Sequence, residues 1–274
     1  MSIYNIGGFI GRSQRIREPI TFVGGVSYSG SSTASISGIS LTSLVGGLDT
    51  QPSKDDLVVV AFASASTLNR TLSCSGDVSG TYSSAHTELY QAAITSYDTN
   101  LATYYQIMGD TSDSTLTLTS ITASASDAWA VVIHVWRYVD PANPLDVAST
   151  TASASSTTSA NPPAITPSTS GVVILAIGAA AVTGLGLYFA SSEDASLTFF
   201  TTWGNSTNDI GIGMGSYKEW VSGSYDPTVF RPTITGTSGS WAAATIALRP
   251  LYPPDRSSGI WSIKAKYNDS LRRG

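Results

Sequence analysis

The chain has 274 residues, of which only 12% are charged, and a formal net charge of −5. An average soluble protein carries about 25% charged residues, so this surface is coated with Ser, Thr, Gly and Ala in place of ions. The length suffices for one large all-β body or two small ones, and a single cysteine, Cys74, excludes an internal disulfide and a cysteine-based metal site.

Residues 1–22 read as an extended, basic N-terminal arm. The opening MSIYNIGGFIGRSQRIR has no continuous apolar stretch of the kind a secretory leader needs, which predicts synthesis and assembly in the cytoplasm. Arg12, Arg15 and Arg17 stand in it beside Ile3, Tyr4, Ile6, Phe9 and Ile10.

From residue 23 the pattern is that of strands punctuated by Gly, Ser, Asn and Asp turns. LVVVAFASAS, Leu57 to Ser66, is apolar at odd and even positions, so the expected strand is buried on both faces. LATYYQIM follows from Leu101, then an alternating run in which Thr115, Thr117 and Thr119 oppose Leu116, Leu118 and Ser120, then WAVVIHVWRYVDP from Trp129. The segment 147–170 is nearly pure Ser, Thr, Ala and Pro, and Thr150 to Ser156 suits an edge strand.

GVVILAIGAAAVTGLGLYFA, Gly171 to Ala190, is long enough to cross a bilayer as a helix. Gly178, Gly184 and Gly186 together with Val172, Val173, Ile174, Ile177 and Val182 favour strands instead. No nearby cations supply orientation, the nearest being Arg137 and Lys218. The start of this run also resembles Leu57–Ser66 at an offset of 115 residues. Tyr104 against Tyr217 gives an offset of 113, and Trp129 against Trp241 gives 112. The expectation is two pseudo-repeated halves, about 27–146 and 147–250, inside a body of residues 23–252, with no membrane span. Ten to twelve strands in one body predict an all-β protein of two antiparallel sheets packed face to face, a β-sandwich of jelly-roll type.

After Pro253-Pro254 comes a C-terminal arm, 253–274. Ile260, Ile263 and Tyr267 fall at helical spacing, so a short amphipathic helix with basic flanks is expected there. Residues 1–18 and 255–274 hold eight of the fourteen cations with only Glu18, Asp255 and Asp269 among the acids, a net +5, while 19–254 sum to −10. Such asymmetry marks attachment segments. The acidic body repels phosphate, so no nucleic-acid partner is expected.

Nothing in the chain spells out chemistry. There is no G-x-S-x-G nucleophile turn. His86 and His134 lack spaced ligand partners, and G-I-G-M-G at 211–215 suits strand glycines better than a dinucleotide loop. Asp110, Asp113, Glu193 and Asp194 are the carboxylates that a glycosidase pair would draw on, and their proximity is not legible in sequence. Neither catalytic residue nor cofactor nor metal is expected, and the chain reads as a non-enzyme. Tyr82, Tyr97 and Tyr225, placed in polar turns, are the candidates for stacking on sugar, which makes a carbohydrate-binding or host-receptor-binding module the alternative reading.

SGIWSIKAKYNDSLRRG resembles the tail found at the end of many tailed-bacteriophage virion proteins, through Gly259, Ile260, Trp261, Ile263, Tyr267, Arg272, Arg273 and Gly274. The body, with DLVVVAFAS, YYQIMGD, AVVIHVWRYVDPANPLD and ATIALRP, resembles phage minor structural proteins over about residues 55 to 250. The resemblance implies a virion component of head or tail, without assigned catalytic residues, whose partners are other virion proteins or copies of itself, with host glycan as a further ligand. The arms hold the residues expected to bind those partners: Phe9, Arg12, Arg15 and Arg17 in the first, and Ile260, Trp261, Ile263, Tyr267, Arg272 and Arg273 in the second.

Overall fold

The computed structural model describes residues 18–31, 35–94, 97–121, 127–155, 159–183, 189–190, 198–204, 208–232 and 239–251. Every strand pairing among them is antiparallel, and they contain no helix. The arms lie outside the described residues apart from the last few positions of the first. There β1 (Thr21–Ser31) begins before the boundary read from sequence, because Ile20 and Phe22 are buried in the core.

The strands form layers. The first is a sheet of β2 (Ser35–Ser40), β9 (Thr115–Ile121), β4 (Thr71–Gly76) and β5 (Gly80–Thr81), paired in that order. The second runs β1, β10 (Ala128–Arg137), β3 (Leu57–Ser66) and β8 (Asp98–Ile107), with β6 (Ser83–Ser84) and β7 (Leu89–Gln91) also on β8. The third runs β11 (Thr150–Ser155), β17 (Ser240–Leu248), β12 (Val172–Thr183), β15 (Asn208–Trp220) and β14 (Thr198–Gly204). A thin fourth layer is made of β13 (Phe189–Ala190) on β16 (Arg231–Pro232), with bridges from Ala160 to Phe230 and from Ile165 to Tyr225.

Side-chain alternation explains this stacking. Along β3, Leu57, Val59, Ala61, Ala63 and Ala65 face the third layer, while Val58, Val60 and Phe62 face the first. Along β12, Val173, Leu175, Ile177, Ala179 and Ala181 face the second layer, while Val172, Ile174, Ala176 and Ala180 face the fourth. A strand covered on both faces must be apolar on both, and every residue of β3 is buried. The 171–190 stretch therefore holds strands, as expected. No helix among the described residues is long and apolar enough to cross a membrane.

The core between the second and third layers is graded. At one end it is filled by Phe22, Leu57, Trp136, Leu175, Ile246 and Leu248, and towards the other by alanines such as Ala63, Ala65, Ala128, Ala181 and Ala242. At the alanine end the sheets come close enough for Thr99 Oγ1 to donate to the Ser240 carbonyl at 2.8 Å and accept from the Ala181 N–H at 3.1 Å. We call the alanine end the tip and the opposite end the base.

Candidate docking surface

Strand register places both ends of the described chain at the base. Thr21 pairs with Arg137, and Leu57 with Trp136 and Ile107. In the third layer Val173 pairs with Leu248, and β17 runs out through Arg249 to Leu251, whose N–H donates to the Tyr138 carbonyl at 2.8 Å. The first and last described stretches of the chain thus lie side by side. All ten of the expected contact residues, Phe9, Arg12, Arg15, Arg17, Ile260, Trp261, Ile263, Tyr267, Arg272 and Arg273, lie outside the described residues. What is visible is the platform from which they leave.

Two ion pairs brace that platform. Arg137, the last residue of β10, donates from Nε and Nη2 to the two carboxylate oxygens of fully buried Asp56, both at 2.8 Å. Arg249, just past β17, donates from Nε to the Asp146 carboxylate at 3.3 Å and from Nη2 to the Asp146 carbonyl at 3.1 Å. Asp146 also accepts the backbone N–H groups of Ser168 and Thr169. The two-pronged guanidinium fits a carboxylate, so each closing strand is pinned to a neighbouring loop.

Around these braces the surface is apolar and acidic. The loop 44–49 folds along the base half of β1, with Val45 bridged to Gly25 and the Leu48 N–H donating to the Phe22 carbonyl at 3.2 Å. A Cβ at Gly47 would sit 2.4 Å from the Val23 backbone, so only glycine allows that approach. Val45 and Leu48 point outward, each 59% exposed, and Val221 is 69% exposed. Lys218, three residues before Val221, holds its ammonium 5.8 Å above the Phe22 ring and 6.0 Å above that of Trp136. Glu18, Asp49, Asp55, Glu219 and Asp226 are exposed at this same end. Asp110 is exposed too, in an ion pair with Lys54 that draws its carboxyl below the usual range.

The residues weighed for chemistry are placed as follows. Asp113 is buried, accepting from the Val78 and Ser79 N–H groups, the Ser79 hydroxyl and the Tyr82 hydroxyl, which ties the β4–β5 turn. Asp110 is exposed and paired with Lys54, and Glu193 and Asp194 lie outside the described residues. His134 is buried between Phe22 and Trp136, with burial pushing its imidazole down to about 3. His86 bonds to Thr103 and Thr87. Cys74 is a core thiol, raised by burial. Among the described residues no group of three or more His, Cys, Asp or Glu could hold a metal ion. The sugar-stacking candidates also resolve differently from the sequence reading. Tyr82 and Tyr225 are core residues, Tyr225 packed on Tyr217 and Trp220, and Tyr97 is half-buried. Tyr90, 39% exposed with its hydroxyl on Asp98, is the tyrosine that reaches solvent most among those noted. Polar neighbours in sequence do not reveal that a turn folds back onto its sheet.

Searches against protein-family models, curated proteins and solved structures found no match to this chain.

Proposed function

We propose that this chain is a structural component of a bacteriophage virion, a tail, fibre or head-appendage protein, held to neighbouring subunits by its terminal arms. The observation that carries the reading is the exit of both chain ends from one end of the body, which gives a single attached face and a free opposite tip. The C-terminal resemblance, with Trp261 as anchor and Arg272 and Arg273 beside it, supports the same reading. The sugar-binding alternative rests on fewer side chains, since Tyr82 and Tyr225 are buried.

We also read the body as two jelly rolls set face to face. Leaving out the short β6 and β7 and counting the remaining strands of the first half one to eight, the two sheet orders become 1-8-3-6 and 2-7-4-5, the order of a jelly roll, a fold common in viral capsid proteins. The second half supports duplication: β11-β17-β12-β15 repeats the order β1-β10-β3-β8, and β16 stands among the fourth-layer segments as β9 does in the first. Arg137 and Arg249, closing equivalent strands, each pin a buried aspartate. At both positions the match to Leu57–Ser66 needs an even offset, because Leu57 faces the central core and Val172 faces away from it.

Deleting residues 252–274 tests the docking role. The truncated chain should keep its β circular dichroism and melting temperature, because the closing strand ends before the cut, and should be missing from assembled particles. Trp261→Ala alone should weaken docking by about 2–4 kcal/mol. Particles carrying a normal complement of the truncated protein would rule out the C-terminal arm as the attachment.

A further inference from the structure

We infer that the base is the seat for the arms of a second copy of this chain, so that copies join base to base by exchanging arms. This rests on the docking role proposed for the arms and names their partner.

Three observations converge. The apolar side chains Val45, Leu48 and Val221 stand exposed at the base, the end where both described chain ends lie; Leu68 and Ile94 are as exposed at the other end. Buried Phe22 lies beneath part of this surface, its carbonyl accepting the Leu48 N–H and its ring under Lys218. The charge around them is acidic on balance: Glu18, Asp49, Asp55, Asp110, Glu219 and Asp226 are exposed against the exposed cations Lys54, which pairs with Asp110, and Lys218, while Arg137 and Arg249 are engaged by buried aspartates. The chain beyond the described residues has the opposite character: residues 1–17 and 252–274 hold eight cations against two acids, with Phe9, Ile10, Ile260, Trp261, Ile263 and Tyr267 as apolar groups. Opposite charge sets orientation and speeds encounter, and the apolar anchors supply affinity.

Geometry favours a neighbour over the chain's own base. Both arms start on this face, so to lie on it each must reverse at once, and the second begins with Pro253-Pro254, which restricts such a reversal. A segment of 20 residues, by contrast, reaches as far as about 65 Å when extended, ample for the base of an adjoining molecule. Exchange between identical copies also satisfies both faces at once, as a two-fold interface requires.

The test is sedimentation of the full chain over a concentration series, at low and at high salt. The expected result is a concentration-dependent dimer or higher closed oligomer that dissociates at least tenfold more readily in 0.5 M salt, on the order of what screening of several ion pairs produces. The full-length double variant Leu48→Glu, Val221→Glu should sediment as a monomer with an unchanged melting temperature, since both side chains are exposed. Arg272→Glu with Arg273→Glu should do the same from the other side of the contact, without touching the body. A wild-type chain that stays monomeric at all concentrations, or an oligomer indifferent to both sets of changes, overturns the inference. Particle incorporation is read separately: a monomeric chain that still enters particles through residues 252–274 would refute base-to-base exchange and leave the docking role standing.

Discussion

Glu88 has a carboxyl group with two unlike oxygens. One accepts the Leu72 N–H at 3.0 Å, and the other is buried without a hydrogen-bond partner. Burial pushes its pKa up to about 7, against a smaller opposing pull from that N–H. An acid raised on folding is bound more tightly to its proton in the native state, so its full contribution is present below about 4.5 and is lost as pH climbs through 7. Glu88→Gln should therefore stabilise the protein at pH 8.5 by about 1–2 kcal/mol, a figure reduced for the part of the side chain that water reaches, and change little at pH 5. Urea melts at the two pH values check this; parallel losses in both proteins would dismiss it. His134 works in the opposite direction, its contribution being lost as pH falls from about 6.5 towards 3. Gly178 offers a second check. A Cβ there would lie 2.5 Å from the Phe230 ring and 3.0 Å from Ala160. Gly178→Ala should cost about 1–3 kcal/mol by overpacking, and Phe230→Leu in the same chain should recover part of the lost melting temperature. At this scale the sequence set His134 in an apolar, aromatic-flanked run, and it is buried there. It misled about Tyr82, whose polar turn suggested a sugar-stacking side chain, but which is buried with its hydroxyl donating to Asp113, 31 residues away.

Strands were the most legible elements. β3 and β12 announced themselves as two-faced apolar runs, and β11 as a Ser/Thr/Ala edge strand, none of whose residues is buried. Their register was not legible, for a physical reason: side chains alternate with period two, and a strand that is apolar on both faces looks the same after a shift of one. That is why an offset of 115 aligns Leu57 with Val172 by residue type although the first faces the central core and the second faces away from it. The fourth layer was also hidden, since its strands are two residues long and its other contacts are single bridges. Because β3 is covered from both sides, truncation there is costly. Phe62→Ala should lower stability by about 3–5 kcal/mol, measurable by chemical denaturation, whereas Thr151→Ala on exposed β11 should stay within about 0.5 kcal/mol. Similar losses at the two sites would contradict the layered burial.

As a whole, the molecule is joined through its middle. The largest apolar cluster draws on both halves, pairing Leu57, Val59, Leu101 and Val132 with Leu175, Ile177, Ile212 and Met214. Thermal unfolding should accordingly be one transition, followed by calorimetry, and a chain ending at residue 146 should self-associate through its uncovered sheet; two separated transitions would show that the halves fold independently. The sequence disclosed the all-β character of the body, but not that its first and last described residues lie at one end, which only strand register reveals.

That shared exit has a mechanical consequence. If the molecule is tethered by its arms and tugged at the tip, the load runs along the strands, so whole ladders of hydrogen bonds resist together in shear. If its two arms are pulled apart from each other, β1 can peel from β10 one bond at a time, starting at Thr21 and Arg137. Force spectroscopy with handles at residue 18 and residue 68, against handles at residues 18 and 251, should record a markedly higher rupture force in the first arrangement. The same fold would then be stiff against a pull on its free end and yielding at its roots.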